Sequence, residues 1–501
     1  MKKIRSTTIL LALCVLMFGC KQEPYEPTLE SLAKHPIPEW WDEGKFGIFI
    51  HWGPYAVPGY GSSLKHLTPL SDAIPEFMPA EWYWLGQQIP FSPGWFHHLN
   101  SYGLNFTYDD FLPQFTADKF DPDDWISLFE KAGAKYFVLT SKHHDGFALW
   151  PTDTTGRNSA EIGAKRDLVG ELFAAAERAD NRVKPGLYYS IPEFFNPAPA
   201  PKDAIGTSGA NPWLYGSFTP RNAYTQVLLP YTGQPDISDY ADDIVRPQLR
   251  EIIAHYKPYL LWCDIGGKEA YFRSNEIIAE YYNDALISRT EGVLINSRCG
   301  DNNTHRDYEV VEQGAGFAHD ADESKRTETA RTMGESWGYD KGDVARARSA
   351  NDLIAGLAQA VAKNSNYLLN IGPRADGTIP DWMRERLLSI GRWLKINGEA
   401  VYKSRPWDKS SDEAGNYFTV GESGDFYILA TDINEERLVV NAQIPVTESS
   451  VITLLGSDGA VLPFQVNTSN IEIDLPVDLF QSSNSGNLPT QVLKVSSSVK
   501  F

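Results

Sequence analysis

Two periods of apolar and polar residues divide this chain. From about residue 45 to about residue 400, short unbroken apolar runs are each followed by a stretch with helical spacing. The clearest runs are Phe46-Gly-Ile-Phe-Ile50, Tyr136-Phe-Val-Leu-Thr140, Gly186-Leu-Tyr-Tyr-Ser190, Tyr259-Leu-Leu-Trp262, Val293-Leu-Ile-Asn296 and Tyr367-Leu-Leu-Asn-Ile371. Two weaker ones, Glu309-Val-Val-Glu312 and Ser336-Trp-Gly-Tyr339, bring the strands to eight. Helices are predicted over residues 121–132, 167–179, 242–256, 275–287, 351–364 and 381–397. The first opens Asp121-Pro122-Asp123-Asp124, a capping carboxylate, a proline in the first turn and acids near the positive dipole end. Apolar strands alternating with amphipathic helices imply a parallel sheet covered on both faces. Eight of them predict a closed (β/α)8 barrel over residues 38–404 rather than an open sheet. Past residue 405 the pattern alternates, as in Ile471-Glu-Ile-Asp-Leu475, between Gly, Ser, Asp and Asn turns. Residues 405–501 therefore read as a small antiparallel β-domain. Residues 192–233, rich in Pro, Gly, Tyr and Trp without a period, read as a long loop that shapes a cleft.

The N-terminus changes where the folded body begins. Lys2, Lys3 and Arg5 precede an apolar run from Thr7 to Phe18, too short to span a bilayer as a mature helix. The run ends Leu16-Met17-Phe18-Gly19-Cys20, which resembles a bacterial lipobox with cleavage before the cysteine. Residues 1–19 are thus expected to be a lipoprotein signal peptide, Cys20 the lipidated residue and residues 20–37 a tether. The expected location is outside the cytoplasm, periplasmic or at the cell surface, with the membrane met only through that lipid. An ordinary secretory signal with an incidental cysteine is the alternative.

Charge excludes one class of partner. With 45 Lys+Arg against 65 Asp+Glu the net charge is −20, so the surface repels phosphates and nucleic acid is not a partner. Apolar residues at 42%, with 14 Trp and 24 Tyr, exclude a disordered chain. Four cysteines are too few for a disulfide scaffold. The two in the body, Cys263 and Cys299, are expected as buried thiols, with pairing the alternative in an exported protein.

In a βα barrel the active site forms at the C-terminal ends of the strands. That filter returns His51, the string His143-His144-Asp145, Tyr188, the string Trp262-Cys263-Asp264, Arg298 and Glu312. Carboxylates, histidines, an arginine and aromatics at one end suit a sugar, whose C–H faces stack on rings and whose glycosidic bond yields to paired carboxyls. Each also has a plainer reading: Asp264 as a helix cap, His51 as a core histidine, Arg298 as an ion pair and the glutamates as solvated charge. His143, His144 and Asp145 could hold a metal in a metal-dependent hydrolase, although no second cluster has ligand spacing; no metal or cofactor is expected.

The strings carry a resemblance. Trp40-Trp-Asp-Glu-Gly-Lys-Phe-Gly-Ile-Phe-Ile-His-Trp-Gly53, Glu81-Trp82-Tyr83, Lys142-His-His-Asp-Gly146, Trp262-Cys263-Asp264, Ser336-Trp-Gly-Tyr339 and Asn370-Ile-Gly-Pro373 resemble the α-L-fucosidases of glycoside hydrolase family 29. The resemblance spans about residues 38–407. It implies an irregular (β/α)8 barrel followed by a β-sandwich, and exo-hydrolysis of α-linked L-fucose with retention. By the same resemblance the nucleophile falls on Asp264, in a string where Cys263 and Ile265 depart from the common pattern, and Cys299 stands where Trp is common. Fucose contacts fall on His51, Glu81, Trp82, His143, His144, Tyr188, Trp262, Arg298 and Trp337. The general acid/base is placed on Glu312, with Glu328 the rival and Glu309 third. A glycan-binding lipoprotein on the same barrel without the chemistry is a further alternative.

Overall fold

The apolar runs form strands because each supplies consecutive side chains to two layers at once, inward to the barrel axis and outward to the helices. The computed structural model describes residues 23–64, 77–195, 220–229, 237–314, 317–318, 325–431, 433, 436–476 and 490–496. Eight parallel strands run in chain order: β1 Phe46–Ile50, β2 Tyr136–Lys142, β3 Lys184–Ser190, β4 Leu260–Asp264, β5 Leu294–Ile295, β6 Glu309–Gly314, β7 Thr327–Thr332 and β8 Ser365–Ile371. They pair in the order β5-β4-β3-β2-β1-β8-β7-β6. Among the described residues no strand ladder joins β5 to β6; a parallel bridge between Asn296 and Tyr308, just outside the two strands, spans the gap, so the ring is irregular where the fifth strand is two residues long. Phe49, Val138, Tyr188, Trp262, Ala330 and Leu368 fill the interior.

The helices lie where the spacing places them: α1 Pro122–Ala132, α2 Leu168–Arg178, α3 Arg246–Tyr256, α4 Ser274–Ser288, α5 Ala350–Ala362 and α6 Asp381–Asn397. Asp121 caps α1 by accepting from the amides of Asp123 and Asp124, each at 3.1 Å, and Gly133 ends it in the left-handed region. A π-helical turn, Ala241–Val245, precedes α3. Pro247 explains it, since a residue without N–H cannot continue the usual ladder.

The seventh strand differs from expectation. It is Thr327–Thr332, not Ser336–Tyr339, and its sequence, TETART, has no apolar run. Hydrogen bonding replaces apolar burial: Thr329 Oγ1 lies 2.9 Å from Ser365 Oγ, and Glu328 turns into the barrel, where three side chains donate to it. Ser336–Tyr339 is instead a loop after that strand.

The expected tether also differs. Tyr25 and Leu32 are buried; the Tyr25 amide donates to the Asn283 side-chain oxygen on α4 at 2.7 Å, and Asn283 Nδ2 donates back to the Tyr25 carbonyl at 2.9 Å. His35 stacks on Tyr282 at 3.6 Å and meets the buried Asp307. Two aromatic rings and a leucine are enough to dock a short polar segment. Cys20 and the expected signal peptide lie outside the described residues, as do residues 196–219 and 230–233 of the expected long loop.

The C-terminal region holds a five-stranded antiparallel sheet and a three-stranded one. Phe418, Ile428 and Leu493 of the first share a core with Leu438, Ile471 and Ile473 of the second, which makes a sandwich. Its other face meets α6, where Trp393 donates to the Thr490 carbonyl at 2.7 Å.

Candidate active site

Strands β3 and β4 deliver the centre of the site. Their register sets Tyr188 beside Trp262 and Ser190 beside Asp264, and the alternation of a strand turns Tyr188, Trp262 and Asp264 inward. Asp264 is 8% exposed. Its Oδ2 accepts from the Tyr188 hydroxyl at 2.7 Å and lies 3.4 Å from His144 Nε2. Its Oδ1 lies 2.7 Å from Arg298 Nη2, an ion pair set off the hydrogen-bonding direction, so this oxygen receives no directed hydrogen bond. Burial by itself would raise the Asp264 carboxyl. Arg298 and the hydrogen bonds from His144 and Tyr188 outweigh it and hold the carboxyl well below the usual range.

Arg298 joins this carboxylate to a second one. Its Nη1 contacts Glu312 on β6, while its guanidinium lies over the Trp262 ring at 5.4 Å. Glu312 is half-buried, and its carboxyl is displaced upward, chiefly by desolvation and also by the Asp264 anion, against the pull of Arg298. Two carboxyls thus grip neighbouring nitrogens of one guanidinium and are pushed in opposite directions.

Around them lie buried polar groups that keep single atoms without directed hydrogen bonds. His51 and His143 each lie one residue beyond β1 and β2, with ring centres 5.6 Å apart, and His143 stacks on Tyr188. Burial pushes His51 down to about 4 and His143 well below its ordinary value, so both rings are neutral near pH 7. His51 Nδ1 is fixed by Asn370 at 2.7 Å, and Asn370 also donates to the Trp337 carbonyl at 2.6 Å. Glu81 Oε2 accepts the amides of Trp337 and Gly338 at 3.1 and 2.8 Å, which is why the Ser336–Tyr339 loop folds back over the barrel mouth. Burial raises Glu81 to about 8, so it is protonated at neutral pH and able to donate. Trp82 and Trp337 are half-buried; Trp82 meets the His144 ring edge-on at 6.1 Å, and Trp337 leans on His51 at 5.2 Å. Glu81 Oε1, His143 Nδ1 and Asp264 Oδ1 are buried without directed hydrogen bonds. Buried polar atoms without directed hydrogen bonds, walled by aromatic rings, fit a polyhydroxylated ligand with apolar faces.

The other candidates are placed elsewhere. Glu328 pairs in register with Val310, two rungs below Glu312, and is fully buried. It accepts from Tyr136 at 2.6 Å, Trp262 at 2.9 Å and Tyr308 at 3.2 Å. Glu309 forms an ion pair with Arg306 at 2.9 Å. Asp145 turns away from His143 and His144 to accept from the Tyr108 hydroxyl at 2.7 Å and the Phe147 amide at 3.1 Å. Among the described residues no group of three or more His, Cys, Asp or Glu is placed to hold a metal.

This arrangement has relatives. The sequence model of the family described as Alpha-L-fucosidase matches residues 15–399. The chain belongs to the α-L-fucosidase family. It is 34% identical over 479 residues to the tissue α-L-fucosidase of Rattus norvegicus, covering 93% of this chain and 92% of the rat protein. The α-L-fucosidase of Dictyostelium discoideum is 32% identical, over 98% and 96% of the two chains. Among solved structures, the Thermotoga maritima α-fucosidase in complex with fucose superposes with a TM-score of 0.74 at 33% identity, covering 94% of this chain and all of that one. This member of the fucosidase family is therefore a glycoside hydrolase built as a barrel and a β-sandwich.

Several features of this fucosidase escape sequence reading. Asn370, which orients both His51 and Trp337, lies in an apolar run whose polar member carries no visible role. Lys142 and Glu193 form a buried ion pair at 2.9 Å behind the two histidines. Cys263 and Cys299 are joined in a disulfide, not held as free thiols, because β4 and the turn after β5 bring residues 36 apart in sequence together. Ile265, just after Asp264, has φ +49°, a left-handed conformation that costs a β-branched residue about 1–3 kcal/mol.

The position of Glu328 gives a prediction. Glu328→Ala strands two hydroxyls and an indole N–H in the barrel interior and is expected to lower stability by roughly 2–5 kcal/mol. Denaturant unfolding measures that loss. Assays on paired substrates are expected to show the same proportional rate change for good and poor leaving groups, whereas a selective loss on poor ones would move the proton donor to Glu328.

Proposed function

We propose that this chain is a retaining exo-α-L-fucosidase in which Asp264 is the nucleophile and Glu312 the general acid/base. The observation that carries the assignment is the shared guanidinium of Arg298, which places both carboxyls at one point of the barrel mouth with opposite protonation preferences. Retention needs one ionised and one protonated carboxyl ~5–5.5 Å apart, and contact with adjacent nitrogens of one guanidinium favours that closeness. Asp264 attacks the anomeric carbon as the glycosidic C–O bond breaks, while Glu312 gives its proton to the departing oxygen. Oδ1, free of directed hydrogen bonds, is the oxygen suited to attack; Oδ2 stays anchored by Tyr188 and His144. Glu312, now a carboxylate, takes a proton from water, whose oxygen displaces Asp264 and regenerates the starting configuration.

His51, His143, His144 and Glu81 offer hydrogen-bonding groups to fucose hydroxyls, and Trp82, Trp262 and Trp337 supply apolar wall. Burying the 6-methyl group against indole is worth ~0.8 kcal/mol. A CH2OH in its place would add an unpaired hydroxyl there, which disfavours the 6-hydroxylated sugar. Proton NMR of early hydrolysis tests the reaction: α-fucose is expected first, and β-fucose first would mean inversion and sink the two-step reading. Glu312 is preferred to Glu328 because the latter's acceptor sites are filled by barrel side chains below the site.

The lipobox-like run ending at Cys20 supports an exported, lipid-anchored form, and the internal disulfide fits an oxidising compartment. Detergent phase partitioning checks this: the full-length protein is expected in the detergent phase and Cys20→Ala in the aqueous phase.

A further inference from the structure

The strand that carries Asp264 is poorly supported on one side. The β4–β5 ladder consists of two pairs, Leu260 with Leu294 and Leu261 with Ile295, and stops before Trp262, Cys263 and Asp264. A substitute ladder takes over. The Cys263 amide donates to Asn296 Oδ1 at 3.0 Å, and Asn296 Nδ2 donates back to the Cys263 carbonyl at 3.0 Å, so one side-chain amide copies the exchange of a strand pair. Asn296 is fully buried. Its Oδ1 also meets the Arg298 amide at 3.4 Å. One residue further on, the disulfide joins Cys263 to Cys299, both 2% exposed. The alternation of β4 puts the Cys263 sulfur in the outer layer, opposite the inward Asp264 and Trp262.

The next residues close the same seam. Gly266 packs so tightly on the turn that a Cβ there would come within 2.3 Å of the Gly300 nitrogen. Ile265, between it and Asp264, holds its left-handed conformation while both neighbours are pinned. Each partner of the Asp264–Arg298 ion pair is therefore flanked by one half of a covalent link.

We infer that the Cys263–Cys299 disulfide and the Asn296 amide form a clamp behind the active site, positioning residues that fix Asp264 against Arg298 and so set the reactivity of the nucleophile. The inference rests on Asp264 as nucleophile. Removing the clamp lets the turn carrying Arg298 drift from β4, and small misplacements of reacting groups are costly in rate.

The test uses the mature protein and three variants. Cys263→Ala/Cys299→Ala and, separately, Asn296→Ala are expected to reduce kcat on an aryl α-L-fucoside by about ten- to a hundredfold. KM is expected to stay within about twofold, since the fucose-binding side chains on the other strands are untouched. The acid limb of the rate profile is expected to move to higher pH, because Asp264 loses the neighbour that holds it ionised while Tyr188 and His144 remain. A purely structural role would lower the melting temperature without moving that limb. Wild-type kcat and an unmoved limb in the folded double variant would overturn the clamp. If the double variant does not fold, the same result for Asn296→Ala overturns it. Non-reducing peptide mapping of the wild type is expected to find Cys263 linked to Cys299, and two alkylatable body thiols would also overturn the inference. Asp264→Gly, assayed in parallel, separates the two claims: an active Asp264→Gly refutes the nucleophile, whereas an inactive one beside an unimpaired clamp variant refutes the clamp alone.

Discussion

Asp264→Gly is expected to lower kcat on a nitrophenyl α-L-fucoside by at least about a thousandfold, because the first chemical step then has no nucleophile. Added azide is expected to restore turnover by entering the space the carboxylate leaves. It attacks the face opposite the leaving group and no second displacement follows, so the product is β-fucosyl azide. Product NMR reads the configuration directly. Glycine is the informative replacement because the Tyr188 hydroxyl, His144 and the Arg298 cation that face Asp264 all survive and can hold an anion in its place. Near-wild-type activity in this variant would remove Asp264 from the mechanism.

Glu312→Ala is expected to have the opposite chemical signature. Loss of a general acid costs about 10²–10⁴-fold where the leaving oxygen needs a proton, and far less where a nitrophenolate departs unaided. Kinetics on an oligosaccharide and on an activated aryl fucoside, measured side by side, show the contrast. Azide here intercepts the fucosyl-enzyme without needing a base, and two displacements give α-fucosyl azide. The pH profile changes as well. Desolvation and the Asp264 anion displace the Glu312 carboxyl upward, so its ionisation is expected to set the alkaline limb in the wild type. That limb is expected to disappear in Glu312→Ala. The acid limb, set by protonation of the depressed Asp264, is expected to remain.

Much of the barrel was legible because apolar strands and amphipathic helices have different periods, and a barrel places its chemistry at predictable strand ends. That rule returns His51, His143, Tyr188, Asp264 and Glu312, which the fold brings to one end of the barrel. Glu81 and Trp82 came only from resemblance, since they lie in the irregular segment between β1 and β2 and have no periodic marker. Thr327–Thr332 was missed because a barrel interior tolerates a carboxylate when Tyr136, Trp262 and Tyr308 all donate to it, an arrangement assembled from four separate stretches of chain. The same reason hides the disulfide: the composition rule that favours free thiols counts cysteines, whereas pairing depends on β4 and the turn after β5 meeting in space. The docked segment around Tyr25 and Leu32 has the Pro and Glu of a tether, while its few apolar side chains do the anchoring.

A retaining mechanism on Asp264 stands or falls on where the covalent bond to sugar forms. Incubation with a 2-fluoro-fucosyl fluoride, whose fluorine slows both steps while the good leaving group preserves the first, followed by peptide mass mapping, locates that bond. The prediction is one added fluorofucosyl group per chain, on the peptide containing Asp264 and on that carboxylate; a label on any other carboxylate would contradict it.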